Sequence, residues 1–428
     1  MGGTEYYVQA LAKQSQALDN EVAIAAPSAR SACYQVEGID VYRFATGDVR
    51  DAAYGVEDKD AASAFTTILT KVKPDIVHIH ANSSAVSGLL LKAAHGVGAR
   101  TVFTYHTPTV SCFRGTMMAF GKEVCDGRLV AKTCTACVLE RNGVSAALAD
   151  LGSIIPPQLG RLLCHAGLRQ GSWLGLRMRA LVEDGHARFK DLMDAADHVI
   201  AVCDWVGDVL KRNGVSDERL SIIRQGLIQS TPRSASAKRK PAMQGSLKLA
   251  FFGRLDATKG VDTLIKACLL RPDLNLELAI FGICQPGSEN FVQALRELAS
   301  SDRRIRFEKS VHGKDVVIKM AQFDCVCVPS ILLETGPLVV YEAFGAGVPV
   351  LGSRLGGVSE LVRDHADGLL IEPGNPAAWA HTFDMVLHKD GLLARLTEGV
   401  RPPRTMRDVA EDMALIYNAL GTSSRKKA

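Results

Sequence analysis

Short apolar runs alternate with stretches of helical period along most of the chain, and this alternation restricts the fold more than any other feature. In the first half, Glu21–Ala26, Ile39–Phe44, Asp75–His80, Thr101–Tyr105, His198–Cys203 and Leu220–Arg224 read as strands. Helical patterns separate them: Tyr7, Ala10, Leu11 and Leu18 share one face near the start, and Ala61–Lys71, Ser83–His95 and Asp204–Asn213 follow. In the second half, strands are expected at Leu247–Phe252, Leu276–Phe281, Ile305–Phe307, Phe323–Val328, Val348–Leu351 and Leu369–Ile371, again with helices between. Such alternation implies right-handed βαβ units around parallel sheets. Between the halves, Ser230 to Gly245 is polar, basic and proline-containing, a linker by composition. The α/β class therefore takes the form of two Rossmann-like, doubly wound domains. Their expected extents are 1–229 and 247–400, with a linker at 230–246 and a helix and tail at 401–428. In doubly wound sheets ligands bind at the carboxyl ends of the strands, so two facing domains would place them in a cleft.

Charge and hydropathy exclude some functions. A net charge of +4 over 428 residues gives no reason to expect nucleic acid as a partner. No apolar run reaches the roughly 18 residues needed to span a bilayer, and no charged-then-apolar leader opens the chain, so a cytoplasmic protein is expected. Eleven cysteines, several within strand patterns (Cys203, Cys325, Cys327), fit buried thiols better than a disulfide framework.

The most informative stretch runs from Ser330 to Gly352. A buried strand ends at Pro329, Gly336 allows close backbone approach, and Pro337 suits the first turn of a helix. The N–H groups of such a helix start form an anion site. Glu334 lies before the helix and Glu342 inside it, at about 1.5 Å per residue no more than roughly 12 Å apart. A ligand with hydroxyls at both ends and negative charge in the middle would span that gap, as a nucleotide-sugar does; an ordinary strand–loop–helix with two solvated glutamates is the alternative. Upstream, the strand ending at Gly253 leads into a loop holding Arg254 and Lys259, with a helix starting near Gly260. Such a loop could grip a diphosphate, Arg as a planar fork and Lys as a point charge, or carry two surface cations.

Together these stretches resemble the retaining GT-B glycosyltransferases of family 4. The matching motifs are Gly-Gly-Thr-Glu5, Asp75-Ile-Val-His-Ile-His80, Tyr105-His106, Gly253-Arg254 with Lys259-Gly260, and the Glu-x7-Glu pair Glu334/Glu342. Gly345-x-Gly-Val-Pro-Val350 and Gly356-Gly-Val-Ser-Glu360 with Asp367-Gly-Leu369 complete the set. The likeness is weakest between about Thr107 and Ala195.

The resemblance implies a hexosyltransferase acting from a nucleoside-diphosphate sugar, with retention and without a metal or other cofactor. It implies that Arg254 and Lys259 bind the diphosphate and stabilise it as it leaves. Glu334 would contact the donor sugar, Glu342 the ribose, and the backbone from Thr335 through Gly336 and Pro337 to Leu338 the sugar and phosphate. His106 would face the donor sugar; a histidine that only caps its strand is the alternative. Gly2 and Gly3 would close over the phosphates, with Gly253 at the donor loop. Front-face attack, in which the departing phosphate takes the acceptor proton, needs no protein nucleophile. Preorganised cations and a helix start suit such a leaving group. Asp58-Lys-Asp60 reads as a helix-start charge cluster. His78 and His80 share one strand face and read as a structural pair.

The chain departs from the family pattern in three places. The opening strand is missing, so either the start is called late or the chain is a fragment, and the first sheet is expected to have a gap. Phe281-Gly-Ile-Cys-Gln-Pro-Gly287 lacks a customary Gly-x-Gly, and Phe307-Glu-Lys-Ser lacks the glycine of the base-binding loop.

Two segments stay open. In the non-periodic insert 107–152, Cys134-x2-Cys137 with Cys112 and Cys125 could hold a structural metal, or be buried or free thiols. From Leu151 to Val182, Arg161, Arg169, Arg177 and Arg179 mix with Leu, Trp173 and Met178 without an acid. That stretch could lie on an anionic membrane, at its inner face, near a lipid-linked acceptor, or be a solvated basic helix. The acceptor expected from family habit is a cell-surface polysaccharide or its lipid-linked precursor. A GT-B sugar-nucleotide epimerase and a non-catalytic sugar-nucleotide binder are the other readings.

Overall fold

A computed structural model describes residues 3–169, 171–228, 246–311, 313 and 315–425. Gly2 and all but Ser246 of the expected linker lie outside these residues. The chain divides into two compact units, Met1–Arg224 with Val409–Ala428, and Gln225–Asp408.

Among the described residues, the first unit holds two main sheets. β1 (Ala23–Ser28), β2 (Ala32–Val36) and β3 (Ile39–Ala45) form one, in the order β1-β3-β2. After β4 (Ile76–Ile79) and β5 (Arg100–Tyr105) comes a small hairpin, β6 (Met118–Ala119) with β7 (Glu123–Val124), and then β8 (His198–Ala201) and β9 (Leu220–Ile222). The four long-range strands make a parallel sheet ordered β4-β5-β8-β9. No ladder joins β1 or β3 to β4 among the described residues, and the expected gap takes this form. Purely parallel pairing is not what forms here: β2 runs antiparallel to β3, and Glu37 and Gly38 turn the chain at φ of 53° and 80°. The helix expected from Ser83 begins only at Gly88, because Ser87 takes the cap and its Oγ accepts from the Leu89 N–H at 3.3 Å.

Period-two alternation decides what each face of the parallel sheet does. Val77 and Ile79 enter a core with Phe103, Tyr105, Val199 and Ala201. His78 takes the opposite side, where its Nδ1 meets the Tyr417 hydroxyl of the helix Met406–Arg425 at 2.6 Å and its Nε2 meets Thr104 Oγ1 at 2.7 Å. The insert is more regular than its sequence suggests. Helices Ala131–Arg141 and Ala146–Ser153 bury Ala136, Val138, Leu139 and Ala149 against Met178 and Val182 of the helix Ser172–Ala195.

The second unit is a six-stranded parallel sheet. β10 (Leu247–Arg254), β11 (Leu276–Ile283), β12 (Ile305–Glu308), β13 (Cys325–Val328), β14 (Val350–Ser353) and β15 (Gly368–Ile371) stand in the order β12-β11-β10-β13-β14-β15. The order reverses direction between β10 and β13, so the ends of these strands form a topological switch point. Leu247, Leu249 and Phe251 enter one core with Trp379 and Phe383. Ala250 and Phe252 face the other side, where Phe252 stacks on Phe281 with ring centroids 4.5 Å apart. Val326 and Val328 of β13 pack under the helix Leu338–Gly345 through Val340 and Ala343. At roughly 1.5–3 kcal/mol for each large side chain fully buried, these two cores hold rigid the strand ends that carry the site.

Candidate functional site

In the second unit the sequence-selected residues converge at the switch point. β10 delivers Gly253 and Arg254, and the chain turns through a 3-10 turn, Ala257–Lys259, into the helix Val261–Leu270. Asp256 holds this turn: its Oδ1 accepts from the Thr258 N–H at 3.0 Å and from the Thr258 hydroxyl. Gly260 follows at φ 68°, and a Cβ there would lie 2.1 Å from the Pro329 carbonyl oxygen. A glycine is therefore required for the turn to press against the end of β13, a contact tied by the Ile331 N–H donating to the Thr258 carbonyl at 2.9 Å.

That contact brings Lys259 to Glu334. Lys259 Nζ donates to Glu334 Oε1 at 2.5 Å, and Ser330 Oγ donates to the same oxygen at 2.7 Å. The two charged side chains are 19% and 12% exposed. Burial pushes the Glu334 carboxyl up, but the charge and hydrogen bond of Lys259, with Ser330 and Arg254, outweigh it and hold the carboxyl below its usual range. Arg254 is half exposed; its Nη1 donates to Gln285 Oε1 at 3.3 Å, and its Nε lies 3.6 Å from Asp256 Oδ2. Gln285 comes from the segment that lacks the family's glycines.

Pro337 occupies the cap of the helix Leu338–Gly345 rather than its first turn, because its ψ of 118° is extended. Thr335, Gly336 and Pro337 are buried before it, with Gly336 at φ 140°. A glycine pair opens the helix Gly356–Leu361 and packs on this loop. The Gly357 N–H donates to the Glu334 carbonyl at 2.6 Å, and a Cβ on Gly357 would lie 2.7 Å from that oxygen and 2.8 Å from the Gly336 nitrogen. The Gly-Gly-x-x-Glu motif thus fixes the backbone that carries Glu334, a role its sequence did not disclose. Glu342 lies within the helix Leu338–Gly345, where burial lifts its carboxyl to about 7.

In the first unit His106 follows β5 and is 6% exposed. Its Nε2 is 3.1 Å from His80 Nδ1, and the edge of Tyr7 packs on its ring with centroids 4.7 Å apart. Gly3 opens the helix Gly3–Gln16 that carries Tyr7. His78 and His80 therefore play different parts: His78 is tied to Thr104 and Tyr417, and His80 to His106.

The two open segments also take definite form. Cys112, Cys125, Cys134 and Cys137 are free thiols, and among the described residues no group of three or more His, Cys, Asp or Glu side chains is arranged to hold a metal ion. Backbone N–H groups meet two of these sulfurs, Phe120 at Cys137 Sγ (3.2 Å) and Gly127 at Cys125 Sγ (3.5 Å). The arginines of 151–182 do not form a free basic face. Arg177 is 1% exposed and donates to Asp51 Oδ2 at 2.7 Å, with Arg169 at 3.6 Å from the same oxygen. Arg179 meets Glu183 at 2.7 Å and Arg161 meets Asp184 at 2.6 Å. Apolar side chains are exposed instead: Leu151 and Ile154 are each 60% exposed, Leu162 65% and Trp173 43%.

Comparison with known proteins agrees with this geometry. Residues 2–226 match the model of the glycosyl transferase 4-like domain, and residues 233–401 that of glycosyl transferases group 1. The chain belongs to the family-4, group 1 glycosyltransferases. A D-inositol 3-phosphate glycosyltransferase of Salinispora arenicola is 31% identical over 214 residues, covering 46% of this chain and 48% of that protein. The match thus spans about half the length of that curated relative. Among solved structures, Anabaena Alr3699/HepE in complex with UDP and glucose superposes with a TM-score of 0.63 at 17% identity, covering 97% of this chain and 96% of the other. Sucrose-phosphate synthase from Thermosynechococcus elongatus gives 0.66 at 18% identity, covering 99% and 94%. The fold is accordingly GT-B, with two Rossmann-like domains.

Proposed function

We propose that this glycosyltransferase moves a hexose from a nucleoside-diphosphate sugar to a hydroxyl acceptor with retention of configuration. The observation that carries the reading is the Lys259–Glu334–Ser330 cluster beside a helix start, with Arg254 on the adjoining strand end. In the reaction the bond between the anomeric carbon and the phosphate oxygen breaks, and a bond from that carbon to the acceptor oxygen forms. The acceptor proton passes to the departing phosphate. Arg254 and Lys259 meet the charge that grows on the diphosphate, and the N–H groups opening the helix Leu338–Gly345 add a partial positive charge, so the chain itself supplies what a metal ion would. Glu334 accepts hydroxyls of the sugar and Glu342 those of the ribose. The similarity of fold to HepE, solved with UDP and glucose, supports a nucleotide-sugar donor.

The acceptor we infer is a cell-surface polysaccharide or its lipid-linked precursor. No helix among the described residues is long and apolar enough to cross a membrane. The outward Leu151, Ile154, Leu162 and Trp173 support contact with a bilayer surface at the inner face, by apolar insertion.

Incubating the protein with a panel of nucleotide-sugars, with and without EDTA, and following nucleoside diphosphate release and product anomer by NMR tests this. Release and a retained anomer in EDTA are expected, and Lys259→Ala or Glu334→Ala is expected to abolish both. An inverted product or loss in EDTA overturns the mechanism. Binding without turnover would make the protein a sugar-nucleotide binder, and a changed donor stereocentre an epimerase.

A further inference from the structure

At the ends of β10 and β11, both in the second unit, the parallel register sets Gly253 against Gly282 and Arg254 against Ile283. The Leu255 N–H ties the two strand ends by donating to the Ile283 carbonyl at 2.9 Å. Two residues beyond Ile283 the chain turns through Gln285-Pro286-Gly287-Ser288. Proline presets the first central position of this turn, and Gly287, at φ 87°, supplies the left-handed second one. Ser288 closes it: its N–H and hydroxyl both donate to the Gln285 carbonyl, at 3.0 and 2.7 Å, and its Oγ accepts from the Gln285 N–H at 3.0 Å. The backbone of Gln285 is thus held at both of its polar atoms, although the residue is exposed.

Its side chain reaches Arg254. Arginine only donates, so the contact with Nη1 at 3.3 Å identifies the amide oxygen of Gln285 as the acceptor. On the same guanidinium, Nε lies 3.6 Å from Asp256 Oδ2, while the other Asp256 oxygen is taken by Thr258. Contacts at two different nitrogens fix the plane of the guanidinium. They differ in electrostatics: Asp256 offsets part of the arginine's charge, whereas a neutral amide orients it and leaves that charge for an anion.

We propose that Gln285 is a positioning residue that holds the Arg254 guanidinium, without neutralising it, in the orientation that meets the diphosphate of the donor. The proposal rests on the reading of Arg254 as a diphosphate ligand. It gives a purpose to the segment that departs from the family's Gly-x-Gly pattern.

Calorimetry on the full chain, with UDP, GDP, ADP and inorganic pyrophosphate as probes, tests this. Gln285→Met keeps the length of the side chain and the Pro-Gly turn but has no amide oxygen. It is expected to weaken binding of the tightest probe about threefold to tenfold, the scale of one hydrogen bond, with melting temperature near wild type. Gln285→Glu keeps an acceptor and adds a charge; it is expected to bind that probe more weakly than Gln285→Met, by a margin that narrows as salt is raised. In an Arg254→Met background, Gln285→Met is expected to change affinity by less than about twofold, because the residue acts through Arg254. An undiminished effect in that background overturns the proposal, since Gln285 would then touch the ligand itself or shape the site without Arg254. Wild-type affinity in Gln285→Met, or in Gln285→Glu should Gln285→Met fail to fold, overturns it too. Unchanged affinity in Arg254→Met, or no binding of any probe by the wild type, overturns the diphosphate reading of Arg254 and this proposal with it. A weakened Arg254→Met beside a wild-type Gln285→Met overturns this proposal alone.

Discussion

Lys259 and Glu334, the cation proposed for the phosphates and the carboxylate proposed for the sugar, are bonded to each other at 2.5 Å. The pair keeps both side chains in place in a nearly closed corner of the second unit, each 12–19% exposed. It also means that an incoming diphosphate must compete with Glu334 for Lys259. Glu334→Gln keeps the shape and the Ser330 contact but removes the competing charge. Nucleoside diphosphate, measured by calorimetry with UDP and GDP, is expected to bind about threefold to tenfold tighter to that variant, while turnover falls. Lys259→Met is expected to weaken the same binding at least about tenfold, the scale of one charge-assisted hydrogen bond. Weaker binding in Glu334→Gln would show that the carboxylate does not restrain the lysine.

The glycine pair gives a steric prediction. In Gly357→Ala the new Cβ would meet the Glu334 oxygen at 2.7 Å and the Gly336 nitrogen at 2.8 Å, both backbone atoms with little room to move. The loop under Glu334 must shift, and overpacking of this kind costs about 1–3 kcal/mol. Both thermal stability and nucleotide affinity are expected to drop. Gly175 is the control, since nothing lies within 4 Å of its Cβ position in the helix Ser172–Ala195; alanine there is expected to stabilise by about 0.5–1 kcal/mol. A Gly357→Ala protein indistinguishable from Gly175→Ala would remove the motif's supporting role.

Glu342 provides a pH signature. Its carboxyl is raised by burial from 4.5 to about 7, so between those values the folded protein holds a proton that the unfolded chain has released. Stability from this group is fully present below about 4.5, declines as pH rises toward 7, and is flat above. Glu342→Gln has no such dependence. The melting-temperature difference between variant and wild type is expected to grow in the variant's favour from pH 5 to pH 8, by the equivalent of about 2 kcal/mol. A difference constant across that range would place Glu342 in a more solvated setting.

Much of this architecture is legible in local pattern because parallel sheets and their crossovers write themselves as period. β13, with all four residues buried, reads as a strand without help, and Lys259 and Glu334 stand out through spacing to their glycines. Other features depend on partners remote in sequence. Ser330 looks like any loop serine until its hydroxyl is found on Glu334, and Gln285 sits in a segment conspicuous only for lacking the Gly-x-Gly pattern. Arg177 looked like part of a basic surface because its counter-charge, Asp51, lies 126 residues away. The division of the first unit's strands into two sheets was anticipated as a gap, but the antiparallel β2 was not, since its burial pattern is exposed throughout and leaves no alternation to read.

The paired arginines change how membrane contact must be tested. Were the stretch 151–182 a free basic surface, vesicle binding would require anionic lipid and fade with salt. With Arg161, Arg177 and Arg179 bound to Asp184, Asp51 and Glu183, the outward chemistry is instead that of Leu151, Ile154, Leu162 and Trp173. Insertion of such side chains is driven by apolar area, about 25 cal/mol per Å2 removed from water, and is indifferent to salt. Flotation with zwitterionic vesicles is therefore expected to recover the protein at low and high salt alike. The double variant Leu151→Ser, Leu162→Ser is expected to stay in the unbound fraction with unchanged melting temperature, since these side chains are already 60% and 65% exposed. Recovery only on anionic vesicles at low salt would return the arginines to the lipid, and recovery on neither would leave this face to a different partner.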